Sequence, residues 1–308
     1  MRDMKRRMKH PYLYAVLFSI CLVIYTSFTV LKAFVIQSDV VSAKSVMTYG
    51  KSSSTSTDSD TDATVTSDSY TADGVTITLT EKTVDHTEVY IADIQIDDVT
   101  KLMSGLADNS FGRNVSENTS TIAESVNAVL AINGDYYGFR DAGYVMRNGY
   151  LYRDTPRSGS GNEDLVVYSD GTFDIIDESE VTAQELVDAG AVQIYSFGPG
   201  LISDGEITVS EGDEVDQSMS SNPRTAIGMI SAGHYVMVVS DGRTSASQGL
   251  TLSQLAQVMS DLGCTEAYNL DGGGSTTMYF NGQVVNQPTT NGNTIKERAV
   301  SDIVYIAG

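Results

Sequence analysis

The sequence of residues 268–280 is YNLDGGGSTTMYF, in which three consecutive glycines follow Asp271 directly. The flanking residues, 266–270 and 277–280, have the pattern of short strands. Asp271 is therefore predicted to lie where a strand ends and the chain enters a turn that glycine tolerates best. Because residues 272–274 lack Cβ atoms, an anion or a sugar can approach their backbone amides closely. A plain hairpin loop is the alternative, but ordering each glycine costs about 0.5–1 kcal/mol more than ordering alanine.

The chain is strongly acidic: its 308 residues carry a net charge of −21 and contain only 19 Lys and Arg. Seven of those basic residues lie among the first 44, so the rest of the chain is more acidic still. Such a surface repels nucleic acid and anionic lipid, and we expect neither as a partner of the folded part. An arginine near a pocket is therefore expected to bind a specific anion. The cysteines are Cys21, in an apolar run, and Cys264, so no disulfide is expected within the soluble part.

A run of twenty uncharged residues, 12–31, follows five basic residues near the N-terminus. A helix of this length spans roughly 30 Å, which is the thickness of the hydrocarbon core. The basic residues predict a cytoplasmic tail at 1–11, a transmembrane signal-anchor at 12–36 and an extracytoplasmic remainder. A cleaved signal peptide is the alternative, because Val41-Ser42-Ala43 offers the small residues that a peptidase requires.

Residues 37–73 are predicted to form a flexible linker, because this segment is rich in Ser, Thr and Asp and has few apolar residues. Residues 74–308 are predicted to form one domain, in which alternating apolar residues indicate about ten strands. Three short helices are expected at 120–127, 182–189 and 253–262. Ser120 is expected to be the first N-cap, and 298–306 to be the last strand. The predicted fold class is α+β with a mixed β-sheet core.

Four predicted strands end in polar clusters, namely Asn133 with Asp135, Arg224 with Thr225, Asp241 with Arg243, and Asn269 with Asp271. Strand ends at the same edge of a sheet would bring these residues into one cleft. Carboxylates and arginines together suit a sugar joined to phosphate, because a carboxylate can act as base, nucleophile or acid and arginine binds phosphate oxygens in a bidentate fork. A phosphate leaving group is a stable anion, so charge stabilisation is expected to matter more than protonation.

Each cluster also has a purely structural interpretation. Asn133-Gly134 and Asp241-Gly242 are common turn dipeptides, and Arg224 has many potential acidic partners in this chain. Tyr136 and Tyr137 suit either a core or a surface on which a sugar ring stacks. Histidine spacing indicates no zinc site, and neither a P-loop nor a G-x-S-x-G motif occurs. We predict no cofactor and no metal ligands, with a divalent cation such as Ca²⁺ left open because the loops are acidic.

The segment NLDGGGSTTM, residues 269–278, resembles the signature of the phosphodiester glycosidase family. Three more segments resemble that family in the same order: AINGDYY at 131–137, NPRTAIG at 222–228 and SDGR at 240–243. The resemblance covers roughly residues 74–308. It implies a hydrolase that cleaves the bond between the anomeric carbon of a sugar and a phosphodiester. The cysteine-rich extensions and C-terminal anchor of the family's animal member have no counterpart in this sequence, so we do not carry over its sugar preference.

By this resemblance, Asp271 and Asp135 are the carboxylates nearest the anomeric carbon, and Arg224 binds the phosphate. The candidate catalytic residues are Asp271, Asp135, Arg224 and Asp241. The candidate substrate-binding residues are Asn133, Tyr136, Thr225, Arg243, Asn269, Gly272, Gly273, Gly274, Ser275 and Thr276.

The predicted anchor, linker and family-like domain together predict a membrane-anchored extracytoplasmic hydrolase. It would act on sugar-phosphate links of envelope or exopolysaccharide glycans. A non-catalytic module that binds anionic envelope glycans is the alternative function. A phosphodiesterase that breaks a P–O bond is a third possibility.

Overall fold

The structure, a computed structural model, describes residues 11–46, 63–215 and 221–307. Residues 1–10 of the predicted tail (1–11) and residues 47–62 of the predicted linker lie outside the described residues. The helices are α1 (Pro11–Phe34), α2 (Thr119–Ser125), α3 (Ala183–Asp188) and α4 (Leu252–Asp261). The strands are β1 (Ser38–Ser42), β2 (Thr64–Val65), β3 (Ser69–Ala72), β4 (Val75–Val84), β5 (Thr87–Ile96), β6 (Leu102–Leu106), β7 (Ser110–Arg113), β8 (Ala128–Asn133), β9 (Val145–Arg147), β10 (Tyr150–Arg153), β11 (Glu163–Tyr168), β12 (Phe173–Asp177), β13 (Ala191–Tyr195), β14 (Gly200–Ser203), β15 (Glu206–Ile207), β16 (Arg224–Ser231), β17 (His234–Ser240), β18 (Glu266–Leu270), β19 (Met278–Phe280), β20 (Gln283–Val284) and β21 (Asp302–Ala307).

Helix α1 has the length and composition of a membrane-spanning helix. Its residues Tyr12–Phe34 reach a mean hydropathy of 2.1, and none of that stretch is buried against the rest of the chain. A membrane anchor and a signal sequence share these properties. The end of α1 is held against the folded domain, because Asn114 Nδ2 donates to the carbonyl groups of Lys32 (3.4 Å) and Ile36 (2.9 Å).

Parts of the segment expected to be a linker, residues 37–73, are strands. β1 pairs antiparallel with β7, and β3 pairs with β4 so that Tyr70 lies opposite Ile77. Tyr70 is buried in the main core, which explains why this part of the chain is held. The folded domain therefore begins before residue 74.

The described strands form one nine-stranded sheet, two five-stranded sheets and one separate pair, with antiparallel pairing throughout. The nine-stranded sheet has the order β15-β14-β18-β16-β17-β5-β4-β3-β2. The five-stranded sheets have the orders β20-β19-β8-β21-β6 and β10-β9-β13-β11-β12. The prediction of an α+β fold with a β-sheet core and few short helices is confirmed, but the described strands pair antiparallel where a mixed sheet was expected.

The main core lies between the nine-stranded sheet and the two five-stranded sheets. Met237 and Leu270 of the larger sheet share one buried cluster with Ile132 and Val304 of a smaller one. Helix α4 covers the opposite face of the nine-stranded sheet and buries Leu255 there. This arrangement follows from alternation, because successive side chains of a strand point to opposite faces of its sheet.

Three strand ends meet at one edge of the nine-stranded sheet and position the candidate site. β16 begins at Arg224, which is paired with Ser240 at the end of β17. Thr225 is paired with Leu270 at the end of β18. In an antiparallel sheet the start of one strand lies beside the ends of its neighbours. The expected convergence of polar strand ends therefore occurs here.

The three predicted short helices are present with small shifts at their ends. α3 and α4 begin with capping boxes at Thr182 and Thr251, in which side chain and backbone satisfy each other. The expectation of Ser120 as the N-cap of α2 is wrong, because Asn118 holds that position. Ser120 lies inside the first turn, and its Oγ donates to Glu297 (2.6 Å).

The last strand begins at Asp302, not at residue 298 as expected. The residues before it make other contacts: the Arg298 amide donates to the Gly274 carbonyl (3.1 Å), and Val300 forms an isolated bridge with Glu117. The path of this segment brings Arg298 next to the glycine turn.

Candidate functional site

A cleft of about 400 Å³ opens at the edge where β16, β17 and β18 converge. Its walls are the strand ends, the glycine turn after β18, the loop after β8 and the segment before β21. The lining residues are Tyr136, Arg140, Phe197, Val215, Asn222, Pro223, Arg224, Arg243, Asn269, Leu270, Asp271, Gly272, Gly273 and Arg298.

Asp271 lines the cleft one residue beyond the end of β18, and it is largely buried. Its Oδ2 accepts hydrogen bonds from Ser275 Oγ (2.6 Å) and Arg298 Nη2 (3.1 Å). Within the described residues, no group donates to Oδ1. Burial raises the pKa of Asp271, and Arg298 and Ser275 partly oppose that shift. A carboxylate with one oxygen held in place and a raised pKa suits a nucleophile or a general base.

Asn133, at the end of β8, fixes the backbone around Asp271. Its Nδ2 donates to the Asp271 carbonyl (2.6 Å), and its Oδ1 accepts from Thr225 Oγ1 (2.8 Å) and the Thr277 amide (3.2 Å). Asn133 and Thr225 are fully buried and do not line the cleft. Direct sugar binding, expected for both residues, does not fit these positions. They join the two sheets beneath the site.

The three glycines form a closely packed turn instead of an open loop. A Cβ atom at Gly272 would lie 2.8 Å from the Pro223 carbonyl oxygen, and one at Gly273 would lie 2.8 Å from Arg243 Nη2. Gly273 also has φ of +62°, which favours glycine. Its amide donates to the Pro223 carbonyl (2.8 Å), so the amide expected to be bare is already bonded at this position.

The other predicted turn residues, Gly274, Ser275 and Thr276, are buried behind the cleft and do not line it. Ser275 still affects the site, because its Oγ donates to Asp271 and accepts from Arg298 Nε (2.9 Å) and Nη2 (2.7 Å). It therefore holds the carboxylate and the guanidinium group in one orientation.

Four arginines line the cleft, whereas Asp271 is the only carboxylate among the described lining residues. They are Arg140, Arg224, Arg243 and Arg298. Burial and the neighbouring guanidinium groups of Arg298 and Arg224 lower the pKa of Arg243. In a chain with a net charge of −21, this concentration of positive charge indicates an anionic ligand.

All four of these arginines donate to protein acceptors before any ligand binds. Arg224 Nε donates to the Leu250 carbonyl (2.9 Å), and its Nη2 forms an ion pair with Glu214. Arg243 donates through Nε (3.2 Å) and Nη2 (2.9 Å) to Asn222 Oδ1. Fixed donors of this kind lose little entropy when they bind an anion.

An aromatic wall closes the side of the cleft that carries Arg140. The Arg140 guanidinium lies over the rings of Tyr136 (5.5 Å) and Phe197 (5.2 Å), and its Nη1 donates to the Ser196 carbonyl (2.9 Å). These cation–π contacts orient the guanidinium group and leave a mixed apolar and cationic surface.

Asn269 contributes an unsatisfied acceptor to the lining. Its Nδ2 donates to the Gly198 carbonyl (2.8 Å), and the residue is almost fully buried. Within the described residues, its Oδ1 has no hydrogen-bond partner. A buried acceptor without a partner costs about 1–3 kcal/mol.

Asp135 lies behind the cleft, which corrects the expectation that its carboxylate faces the anomeric carbon. Its Oδ2 accepts from Arg147 Nη2 (2.8 Å) and the Ser196 amide (3.1 Å), and its Oδ1 accepts from the Tyr137 amide (2.8 Å). Burial opposes ionisation, but Arg147 and these amides outweigh it and lower the pKa of Asp135. The carboxylate thus holds the backbone of two loops that shape the cleft.

A second buried carboxylate, Asp302, shares Arg147 with Asp135. Arg147 Nε donates to Asp302 Oδ2 (2.7 Å), and its guanidinium lies over the rings of Tyr195 (4.2 Å) and Tyr137 (5.6 Å). Burial raises the pKa of Asp302 to about 7, because Arg147 offsets only part of the desolvation. No local pattern in the sequence indicates this network.

Asp241 also lies outside the cleft lining, contrary to the catalytic position expected for it. Its Oδ1 accepts from the Gln287 amide (2.8 Å) and Asn286 Nδ2 (3.3 Å), and its Oδ2 accepts from Tyr90 (3.3 Å). Burial raises its pKa. Asp241 therefore supports a turn, whereas Arg243, two residues later, reaches the cleft.

Sequence reasoning did not single out seven of the lining residues: Arg140, Phe197, Val215, Asn222, Pro223, Leu270 and Arg298. Arg140 follows the AINGDYY segment by three positions, and the argument that arginines in an acidic chain bind specific anions could have singled it out. Arg298 has no local signal, because only the path of the segment before β21 places it beside Asp271.

Within the described residues, no group of three or more His, Cys, Asp or Glu is placed to hold a metal ion. The expectation of no cofactor, with Ca²⁺ left open, stays a prediction.

Comparisons with known proteins agree on one family. Residues 126–307 match the family described as phosphodiester glycosidase. The SPbeta prophage-derived uncharacterized protein YomE of Bacillus subtilis (strain 168) is 32% identical over 202 residues, which cover 64% of this chain and 30% of that protein. The Homo sapiens N-acetylglucosamine-1-phosphodiester alpha-N-acetylglucosaminidase is 29% identical over 191 residues, which cover 55% of this chain and 36% of that enzyme. The chain spans about a third of the length of the curated relatives that it matches.

Solved structures show the same fold. The zebrafish N-acetylglucosamine-1-phosphodiester alpha-N-acetylglucosaminidase catalytic domain, auto-inhibited by its pro-peptide, has a TM-score of 0.59 at 25% identity. The match covers 76% of this chain and 83% of that one. A hypothetical protein from Synechocystis, at 15% identity and a TM-score of 0.51, supports the fold alone.

Proposed function

The chain belongs to the phosphodiester glycosidase family, and from this we propose that it hydrolyses the glycosidic bond of a sugar-1-phosphodiester. The observation that carries the proposal is the cleft in which one carboxylate, Asp271, is surrounded by four arginines. In the reaction, the oxygen of water becomes bonded to the anomeric carbon, and the bond from that carbon to the phosphate oxygen breaks. The phosphomonoester leaves with the bonding electrons, and the free sugar is the other product.

Arg224, Arg243 and Arg298 are the proposed phosphate ligands. The phosphodiester carries one negative charge, and a second develops on the bridging oxygen as the bond to the sugar breaks. Positive groups already oriented at that position stabilise the developing charge, and one such donor typically contributes about 10²–10³ in kcat. The prior hydrogen bonds of Arg224 and Arg243 meet this requirement.

Asp271 is the proposed group that acts at the anomeric carbon, as nucleophile or as base for the attacking water. One of its oxygens is held by Ser275 and Arg298. A phosphate leaving group needs little protonation, so a second carboxylate in the cleft is not required. Asp135 and Asp241 are accordingly proposed as positioning residues.

Asn269 and Tyr136 are the proposed contacts to the sugar. The unpartnered Oδ1 of Asn269 is buried, and it would accept a hydrogen bond from a sugar hydroxyl if the group that covers it moves on binding. The half-buried Tyr136 ring offers an apolar face for the ring of the sugar. Because similar animal enzymes are named for N-acetylglucosamine-1-phosphodiesters, a diester of this sugar is the first substrate to test.

The setting proposed for this activity is the outer side of a cell membrane, on envelope or exopolysaccharide glycans. The length and apolar composition of α1, after five basic residues, support a signal-anchor with the domain outside. Protease added to intact cells should then digest the domain while α1 stays with the membrane fraction. Secretion of a shorter chain without α1 would instead indicate a cleaved signal peptide.

Hydrolysis of the methyl diester of N-acetylglucosamine-1-phosphate by the full chain in detergent tests the activity. Asp271→Asn keeps the size of the side chain and should lower kcat by about 10³-fold or more, because the base or nucleophile is lost. Asp261→Asn, an exposed substitution on α4 away from the lining, is the matched control and should leave kcat unchanged.

Reaction in ¹⁸O-labelled water separates the alternatives. A glycosidase places the label on the sugar, whereas label on the phosphate would show cleavage of a P–O bond. Binding of the diester without turnover would leave the chain as a binding module for anionic glycans.

A further inference from the structure

A second cavity of about 510 Å³ adjoins the cleft and has walls in common with it. Arg140, Phe197 and Val215 line both spaces. Phe197 and Arg140 form the boundary, because the guanidinium lies over the Phe197 ring at 5.2 Å. The two spaces are therefore neighbouring compartments of one groove.

The second cavity differs from the cleft in charge. Its lining contains three acidic residues, Glu163, Asp213 and Glu214. Arg157 also lines it, but two buried carboxylates, Asp164 (2.6 Å) and Glu178 (2.8 Å), already neutralise its charge.

This pairing leaves the second cavity with an excess of negative charge, in contrast to the four arginines of the cleft. Arg224, the ion-pair partner of Glu214, and Arg140, which lines both spaces, offset two of the three negative charges, so that one remains in excess. A polar but acidic compartment disfavours a second phosphate and suits hydroxyl or amino groups.

We propose that this second cavity binds the alcohol side of the diester and selects a neutral or cationic polyol there over one that carries another phosphate. The inference rests on the proposed function, which places the phosphodiester among the arginines of the cleft. A diester has two substituents on one phosphorus atom, so the alcohol must lie within a few bonds of the bound phosphate. The adjoining cavity offers that space, with the Phe197 ring available for an apolar face of the alcohol.

Affinity in the absence of turnover tests the proposal directly. The full chain carrying Asp271→Asn is titrated by calorimetry with three diesters of N-acetylglucosamine-1-phosphate. Their alcohols are methanol, the 6-hydroxyl of a methyl hexoside, and the free primary hydroxyl of glycerol-3-phosphate. We expect the hexoside diester to bind at least about fivefold more tightly than the methyl diester, and the phosphorylated diester to bind more weakly than the hexoside.

Three further substitutions, each combined with Asp271→Asn, separate charge from shape. Asp213→Asn keeps an acceptor for the Ser210 amide and should improve binding of the phosphorylated diester by roughly twofold to fivefold, with little effect on the methyl diester. Glu180→Gln removes the same charge from an exposed site outside both cavities and should change none of the three affinities. Thr208→Trp, which fills the second cavity only, should abolish the advantage of the hexoside.

Equal affinities for the methyl and hexoside diesters, or an equal response of all three ligands to Asp213→Asn, would overturn the proposal. Absence of hydrolysis by the wild-type chain would instead refute the proposed function. The order of the three affinities would still decide whether the second cavity binds the alcohol.

Discussion

Replacing Arg298 with alanine tests whether the arginines and Asp271 act together. Arg298 donates to Asp271 Oδ2 (3.1 Å) and to Ser275 Oγ, and its side chain is 41% exposed. Because Arg298 is partly exposed but its partner Asp271 is largely buried, the free energy of unfolding should fall by about 1–3 kcal/mol. The variant therefore removes positive charge from the cleft without disturbing the core.

The effect on catalysis should be larger than the effect on stability. Loss of one oriented donor to the developing phosphate charge typically costs about 10²–10³ in kcat. Arg298 also opposes the burial that raises the pKa of Asp271, so its removal should raise that pKa further. Because Asp271 must be ionised to act as base or nucleophile, the acidic limb of kcat/KM should move to higher pH.

The assay is steady-state release of free sugar across the pH range, with thermal unfolding of the same preparations. Arg298→Lys is the matched control: it keeps the charge but loses the planar fork, so kcat should fall while the acidic limb stays near that of the wild type. Wild-type kcat and an unmoved acidic limb in Arg298→Ala would refute the reasoning.

Three other predictions concern stability and are checked by chemical or thermal unfolding. Gly273→Ala should destabilise the fold by about 1–3 kcal/mol and lower activity, because φ is +62° and the new Cβ would press on Arg243; unchanged stability would contradict the packed turn. Asn133→Ala should lower the free energy of unfolding by about 2–4 kcal/mol, because it leaves several buried groups around Asp271 without partners. A decrease below about 0.5 kcal/mol would show that the hydrogen bonds of Asn133 are not needed for stability. Burial raises the pKa of Asp302 to about 7. Between about pH 4 and pH 7 the folded state therefore keeps a proton that the unfolded state has released. The free energy of unfolding should decrease as the pH rises through this range. Asp302→Asn should remove that part of the pH dependence, and an unchanged profile would refute it.

The sequence predicted the strands that carry the site because their patterns are local. The glycine run after Asp271 identified the end of β18, and Asn269 follows from the same strand. Family resemblance marked Arg224 and Arg243, both of which line the cleft. These residues could be predicted because each lies within a short segment whose residue types indicate its chemistry.

The direction in which a side chain points could not be predicted from such local segments. Asp135 and Asp241 both lie at the correct strand ends, but their carboxylates turn toward Arg147 and Tyr90 in the interior. Arg147 is 12 positions from Asp135 and 155 from Asp302, so only the tertiary fold shows that they form one network. Arg298 was missed for the same reason.

The short connection between α1 and β1 limits how the domain can move. Only residues 35–37 separate the end of the helix from a strand that is bonded to β7, and three residues reach about 10 Å at most. If α1 is embedded in a bilayer, the domain lies next to the lipid surface, and the short connection keeps it from moving far from that surface. The candidate site can then reach only glycan in a thin layer next to the membrane. Glycan farther from the membrane must approach this layer before it can bind.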